Sequence, residues 1–407
     1  MIAERSRVWV TGMGLVTPLG ADPDSFWSSL LEGRSGAAPV RSFDTSELPN
    51  HVGCEVADLR VPAHLRDHIL GGRCCELAAV AADQAMREAG IEDRYAGTAE
   101  LAVVVGTTMG DVLRFEQERA LHPDEPASDE DVDALASRPL HVMAATIARM
   151  YRARGPVVTV PAACAAGNYA IGLAASLIAR GEAKAVVAIG CEAFSRLAFV
   201  GFSRMRAMSP DICRPFSRNR PGLLLGEGAA ALVLESAASA RERGAAALAV
   251  LDGFGLSCDA FHITGPRQDG AGAVAAMTRA LKEARLAPGD IDYVNAHGTG
   301  TALNDKMESV AVRRVFEGRA SRVPVSSIKA LTGHTLGAAG AIEAVASVLA
   351  MRRGVIPPTW NWTEADPECD IDCVPNEPRP AGLRHVLSNS YAFGGNNSSL
   401  VLSAPAP

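Results

Sequence analysis

Two stretches of the 407-residue chain share one layout. Residues 157–181, VVTVPAACAAGNYAIGLAASLIARG, run a β-branched strand into an apolar, Ala-rich helix. Residues 323–354 do the same, with VPVSSI leading through KALTGHT into LGAAGAIEAVASVLAMRRG. Each helix stops on basic residues followed by Gly, which oppose the helix dipole and then permit a left-handed turn. Apolar helices fed by β-branched strands are the pattern of parallel strands buried on both faces.

The rest of the chain extends the pattern. Strand-type runs are expected near 8–11, 101–106, 157–160, 185–190 and 229–235, then near 247–252, 291–295, 323–328, 385–390 and 398–403. Helices are expected over 75–90, 165–180, 272–286, 304–317 and 336–352. Each half lays down five strand segments in similar order, a duplication of architecture rather than a short-period repeat. The expected division is residues 1–245, carrying Cys164, and 246–407, carrying His297 and His334. Segment 111–140 is polar and acidic and reads as an excursion; 357–383, with Pro, Trp and acids, reads as a long surface connection.

At 48% apolar and 21% charged residues, the composition is that of a globular α/β protein. A net charge of −7 and the lack of Lys/Arg blocks exclude a general polyanion binder, so no nucleic-acid partner is expected. No apolar run approaches the roughly 20 residues that span a bilayer, and the N-terminus lacks a signal-type hydrophobic region. No membrane partner is expected. Nine scattered cysteines make no disulfide framework, and Cys369 and Cys373 lack a second pair at zinc spacing. The expected location is the cytoplasm.

Four segments carry residue types suited to chemistry. Cys164 stands where the first strand hands over to its helix, and unpaired amides there stabilise a thiolate, so a lowered thiol pKa is expected. Most free cysteines are small buried hydrophobes, and that is the reading for the other eight. His297 lies in NAHGTGT, where glycines allow close approach and Thr299 and Thr301 offer hydroxyls. Lys329 and His334 occupy the second strand-to-helix joint, with Glu343 inside the helix; an isolated lysine is more often a solvated charge. Finally, SNSYAFGGNNSSL puts Phe393 before a Gly-Gly pair, a loop able to offer an N–H to an oxyanion.

In this order and spacing the four segments resemble the elongating β-ketoacyl-acyl-carrier-protein synthases of the thiolase superfamily. The resemblance covers essentially the whole chain, from VWVTGMGLVTPLG through RPFSRNRPGLLLGEGAAALVLE to the C-terminal Gly-rich loop. It implies a thiolase-like duplicated α/β fold of five layers, αβαβα, with two mostly parallel mixed sheets, usually dimeric. Cys164 then matches the nucleophile that takes an acyl chain. His297 and His334 match the histidines of malonyl decarboxylation, and Lys329 and Glu343 match their supporting charges. Thr299 and Thr301 match the threonines on the pantetheine arm. Phe393 matches the gate whose N–H forms the oxyanion hole with that of Cys164. The implied partners are an acyl-carrier protein and a second subunit, either a copy of the chain or a chain-length-factor-like protein. No metal or cofactor is implied, because 4′-phosphopantetheine arrives on the carrier. Arg204 and Arg206 fall where carrier docking is expected, with Arg66 or Arg73 as additions.

The chain differs from its neighbours in the superfamily. Degradative thiolases carry a second cysteine in the C-terminal loop, initiating and chalcone-type enzymes pair Cys with His and Asn, and chain-length factors lack the nucleophile. The family's usual Phe-Gly-Phe-Gly-Gly-Thr-Asn loop here is Tyr391-Ala392-Phe393-Gly394-Gly395-Asn396-Asn397. These departures leave room for fatty-acid or for specialised polyketide or polyene synthesis. The expected reaction is decarboxylative Claisen condensation, adding two carbons to a chain held on Cys164. Its rivals are a non-condensing malonyl decarboxylase or acyltransferase, a pocket-shaping heterodimer subunit, and a zinc site of Cys164, His297 and His334.

Overall fold

The computed structural model describes residues 7–113, 116, 140–318 and 322–406. Most of the acidic 111–140 segment therefore lies outside the described residues. The first half contributes strands β1 (Val8–Val16), β2 (Leu101–Gly106), β3 (Val157–Val160), β4 (Ala185–Glu192) and β5 (Gly228–Ser236). The second contributes β6 (Ala249–Cys258), β7 (Tyr293–Asn295), β8 (Val325–Ser326), β9 (His385–Tyr391) and β10 (Asn396–Ser403).

Side by side, the first five run β3-β2-β4-β5-β1 and the second five β8-β7-β9-β10-β6, the same order within each half. Pairing type repeats too. In the first half β2 pairs with β3 and β4 in parallel, and β5 pairs with β4 and β1 antiparallel. In the second, β7 pairs with β8 and β9 in parallel, and β10 pairs with β9 and β6 antiparallel. The two five-stranded sheets are also hydrogen-bonded to each other. Val8, Trp9 and Val10 of β1 pair antiparallel with Leu251, Val250 and Ala249 of β6, making one ten-stranded ladder.

Five layers result. Helix α1 (Arg73–Ala89) covers the outer face of β1, β5 and β4. The central layer is α2 (Ala166–Ala179) and α5 (Ala339–Arg353), the two helices of the repeated layout. Helix α3 (Ala271–Ala284) covers β6 and β10, with α4 (Ala302–Phe316) beside it. Each central helix touches both halves: α2 packs on β4, β2 and β10, and α5 on β9, β5 and β4. That explains their composition, because twelve of the fifteen residues of α5 are buried, and the one charged residue among those twelve, Glu343, is paired with a buried Lys329. Both helices end as the basic-Gly pattern implies, with Gly181 at φ 73° and Gly354 at φ 65°.

The central helices meet at their N-terminal ends through glycine. A Cβ built on Gly340 would stand 2.8 Å from the Asn168 amide nitrogen, and one on Gly167 would stand 2.6 Å from that of Ala341. Backbone so close leaves room for hydrogen alone. Segment 357–383 is for the most part the expected surface connection, pinned to the body at a few points. Cys369, Cys373 and Val374 are buried, and the Val325 amide donates to the Asp372 carbonyl at 2.8 Å. Trp360 Nε1 also donates to the Leu30 carbonyl at 2.8 Å. Its apolar residues pin it despite the acids.

Substituting Gly340→Ala should cost about 1–3 kcal/mol of stability in urea unfolding, the range for overpacking. Gly201→Ala, in the helix Arg196–Arg204 with nothing within 4 Å of the new methyl, should be neutral or gain up to about 1 kcal/mol.

Candidate active site

Each strand-to-helix joint is kinked in the same way. Ala163 has φ 47° and Leu336 has φ 46°, left-handed values uncommon for side chains larger than Gly. Each opens a 3₁₀ turn, Ala163–Ala165 or Leu336–Ala338, that passes directly into a central helix. Cys164 follows Ala163, and Gly337 follows Leu336. A Cβ at Gly337 would lie 2.5 Å from the Thr108 amide nitrogen, so only the first joint has room for a side chain.

His297 sits in the loop between β7 and α4, which two buried carboxylates of α4 hold from below. Glu308 accepts from the amides of His297 at 2.8 Å and Gly298 at 2.7 Å. Asp305 accepts from those of Thr299 at 3.1 Å, Gly300 at 3.2 Å and Phe216 at 2.8 Å. Lys329 Nζ donates to the His297 carbonyl at 2.6 Å and forms a buried ion pair with Glu343. His334 is anchored by its backbone, its amide donating to the Leu224 carbonyl at 2.7 Å. The two imidazoles meet edge to face, with centroids 5.2 Å apart and planes at 84°.

A cavity of about 320 Å³ joins these elements. Cys164, His297, His334, Thr299, Thr301 and Phe393 all line it, as do Arg206, Leu303 and Tyr391. The Thr299 and Thr301 hydroxyls are 2.8 Å apart, and the Phe393 ring stacks on Phe202 at 5.5 Å. Lys329 and Glu343 lie behind the cavity, each with a side chain only 1% exposed. Arg204 is exposed and does not line it. Arg73 is committed to Glu227, with hydrogen bonds of 2.6 and 2.8 Å, which removes it from the expected docking patch.

Charge states follow from burial. Both imidazoles are held well below the ordinary histidine pKa, by desolvation first and then by the Lys329 ammonium. They are neutral at pH 7 and can act as N–H donors or as bases. The Cys164 thiol departs from expectation: burial pushes it up to about 12 despite the pull of Lys329. It has the expected place at the helix start, but loss of water outweighs that help, and the resting sulfur is protonated. Burial also pushes Glu343 to about 7.

Sequence reasoning passed over Glu308 and Asp305, which shape the His297 loop, and Glu192. The Glu192 carboxylate accepts from the amides of Thr108 at 2.7 Å, Met109 at 2.9 Å and Gly337 at 3.0 Å, tying the first half to the second joint. The available signal for Asp305 and Glu308 was their i, i+3 spacing on a helix directly after a Gly-rich loop. Among the described residues, no group of three or more His, Cys, Asp or Glu side chains is placed to hold a metal ion.

With its thiol pushed up to about 12, Cys164 should react with iodoacetamide about tenfold faster per pH unit from roughly pH 7 to 9.5, with no plateau. Mass spectrometry of the alkylated peptide measures it, and an acidic thiol would level off near neutrality.

The chain matches two family profiles, "Beta-ketoacyl synthase, N-terminal domain" over residues 5–240 and "Beta-ketoacyl synthase, C-terminal domain" over 248–363. It is 37% identical over 406 residues to a 3-oxoacyl-[acyl-carrier-protein] synthase 2 of Synechocystis sp., covering 98% of each chain. Against a putative polyketide β-ketoacyl synthase 1 of Streptomyces cyaneus it is 40% identical over 417 residues, again covering 98% of each. The solved structure of the ishigamide ketosynthase/chain length factor superposes with a TM-score of 0.90 at 38% identity, covering 99% of this chain and 100% of that one. A cysteine and two neutral histidines converging in one cavity of a duplicated five-layered fold, with family matches along both halves, place the chain in the β-ketoacyl synthase family of condensing acyltransferases.

Proposed function

We propose that the protein extends an acyl chain held on Cys164 by two carbons taken from a malonyl group on an acyl-carrier protein. The observation that carries this reading is the cavity shared by Cys164, His297 and His334, with both imidazoles uncharged.

Two half-reactions fit that cavity. In the first, the Cys164 sulfur bonds to the acyl carbonyl carbon, the carrier's sulfur leaves, and the thiol proton passes to it. The product is a thioester on Cys164, a holding site that keeps the carbonyl electrophilic while the carrier is exchanged. The protonated resting thiol makes this transfer dependent on a base, and the neutral imidazoles are the bases at hand. In the second, the malonyl carboxyl leaves as CO2 and its bonding electrons form an enolate. Two imidazole N–H groups donate to that oxygen in a water-poor cavity, where such bonds count most. The enolate carbon then attacks the acyl carbonyl, the amides of Cys164 and Phe393 take the oxyanion, and Cys164 departs as a thiolate that regains a proton from solvent. No metal or cofactor enters these steps beyond the pantetheine arm on the carrier, for which Thr299 and Thr301 are the proposed contacts.

An acidic carrier would be drawn by Arg204 and Arg206, of which Arg206 is both exposed and cavity-lining. A second subunit, a copy of the chain or a chain-length-factor-like protein, would cover strand β3. That strand is at the sheet edge and leaves the apolar Val157 41% exposed, the kind of edge that pairs with another strand. All nine cysteines are unpaired, which suits a reducing cytoplasm, and among the described residues no helix is long and apolar enough to cross a membrane.

Incubation with acyl and malonyl carrier proteins should give a 3-oxoacyl carrier and an acyl adduct at Cys164 by intact mass spectrometry, both lost in Cys164→Ala. CO2 release without a longer product would establish the non-condensing decarboxylase instead. Unchanged pathway output with Cys164→Ala would establish a pocket-shaping subunit. His297→Ala or His334→Ala should slow malonyl decarboxylation by about 100-fold or more, the cost of one lost oxyanion donor. Because the neutral imidazole is the working form, activity is present above its pKa in the folded protein and lost as pH falls through it. The acid limb of the decarboxylation profile should therefore lie well below pH 6.5.

A further inference from the structure

Glu192 is fully buried at the end of β4, does not line the cavity, and takes no part in the reaction steps. Its two oxygens hold different things. Oε1 accepts from the Thr107 hydroxyl at 3.2 Å and the Met109 amide at 2.9 Å, both in the segment that follows β2. Oε2 accepts from the Thr108 amide of that segment at 2.7 Å and from the Gly337 amide at 3.0 Å. One oxygen therefore joins two backbone donors that come from opposite halves of the fold.

Those donors need a shared acceptor. Their backbones are so close that a Cβ on Gly337 would stand 2.5 Å from the Thr108 nitrogen. Without the oxygen, two N–H dipoles would converge on nothing, and a buried donor left unpaired costs about 1–3 kcal/mol. Moving the two segments apart is the way to relieve that cost.

The segment free to move is the joint that carries His334. Upstream, the His334 amide donates to the Leu224 carbonyl at 2.7 Å, and the His334 carbonyl accepts from the Gly226 amide at 3.0 Å. Downstream come Leu336, in the left-handed region at φ 46°, and then Gly337. A side-chain-bearing residue stays in that region only where its surroundings over-determine it. Segment 224–226 fixes one side of the turn, and Glu192 fixes the other. We infer that Glu192 is a positioning residue for His334, bonding the turn behind the imidazole to the half that carries Cys164 so that ring and sulfur keep facing one cavity. The inference rests on the condensing reading, in which His334 serves malonyl decarboxylation.

Three substitutions test it through CO2 release from malonyl-N-acetylcysteamine. Glu192→Gln keeps the reach and one acceptor oxygen. That oxygen suits Thr108 and Gly337, while the new NH2 faces the Thr107 hydroxyl, which turns to accept, so kcat should stay within about threefold of wild type. Glu192→Ala removes the bridge, and Glu192→Asp keeps the charge but falls a methylene short of it. Both should lose about 10- to 100-fold in kcat, the scale of a displaced reacting group, with KM within about twofold. Thermal melts followed by circular dichroism establish folding, and the Asp variant decides if the Ala variant does not fold. Failure of both to fold would make Glu192 a residue of stability and overturn the inference. So would a Gln variant as slow as Asp, an Asp variant at the wild-type rate, or losses carried by KM, each leaving the condensing reading intact. Wild-type protein that releases no CO2 from malonyl-N-acetylcysteamine or from a malonyl carrier would overturn that reading, and this inference with it.

Discussion

One buried ammonium organises the catalytic cavity. Lys329 Nζ is held by Glu343 and donates to the carbonyl of His297, so a single cation fixes the loop that carries one imidazole. Its charge is also felt by every reactive group nearby: it lowers the pKa of His297, of His334 and of Cys164. For the histidines this adds to the effect of burial and keeps both rings neutral. For the thiol it opposes burial and loses. A buried ion pair is weak evidence for stability, because desolvation of the two charges offsets much of their attraction.

The duplicated framework explains why a side chain enters the cavity from one strand-to-helix turn and not from both. Both joints share the left-handed residue, the 3₁₀ turn and the passage into a central helix. What differs is the space in front of them. Gly337 is pressed against the backbone of Thr107 and Thr108, and its amide is used by Glu192, whereas Cys164 opens into the cavity. The second joint supplies Lys329 and His334 instead. Duplication thus yields unlike joints: a cysteine facing the cavity from one half, with a lysine and a histidine supplied by the other.

Much of this was legible in the residues. The repeated strand-turn-helix layout announced two buried helices, and both form the central layer. Basic-Gly stops ended them where expected, because a helix terminus depends on a few neighbouring residues. Cys164, His297, His334, Thr299, Thr301 and Phe393 were legible from four segments taken together in order and spacing, none decisive singly, and the fold brings all six to one cavity. Strand ends were less legible: β6 runs to Cys258, well past the apolar stretch, because pairing with β10 and not apolarity sets its length. Arg73 could not be read as an internal anchor, because its partner Glu227 is 154 residues away.

By itself the sequence determined the elements, their order and the chemical types at each joint, all consequences of side chains acting on the backbone within a few residues. The tertiary structure decided how much water those groups retain. A thiol at a helix start is favoured as an anion by its own neighbourhood, yet the rest of the chain folding around it withdraws the solvent, and desolvation is the larger effect. Local residues place a reactive group; only the assembled surroundings set its charge.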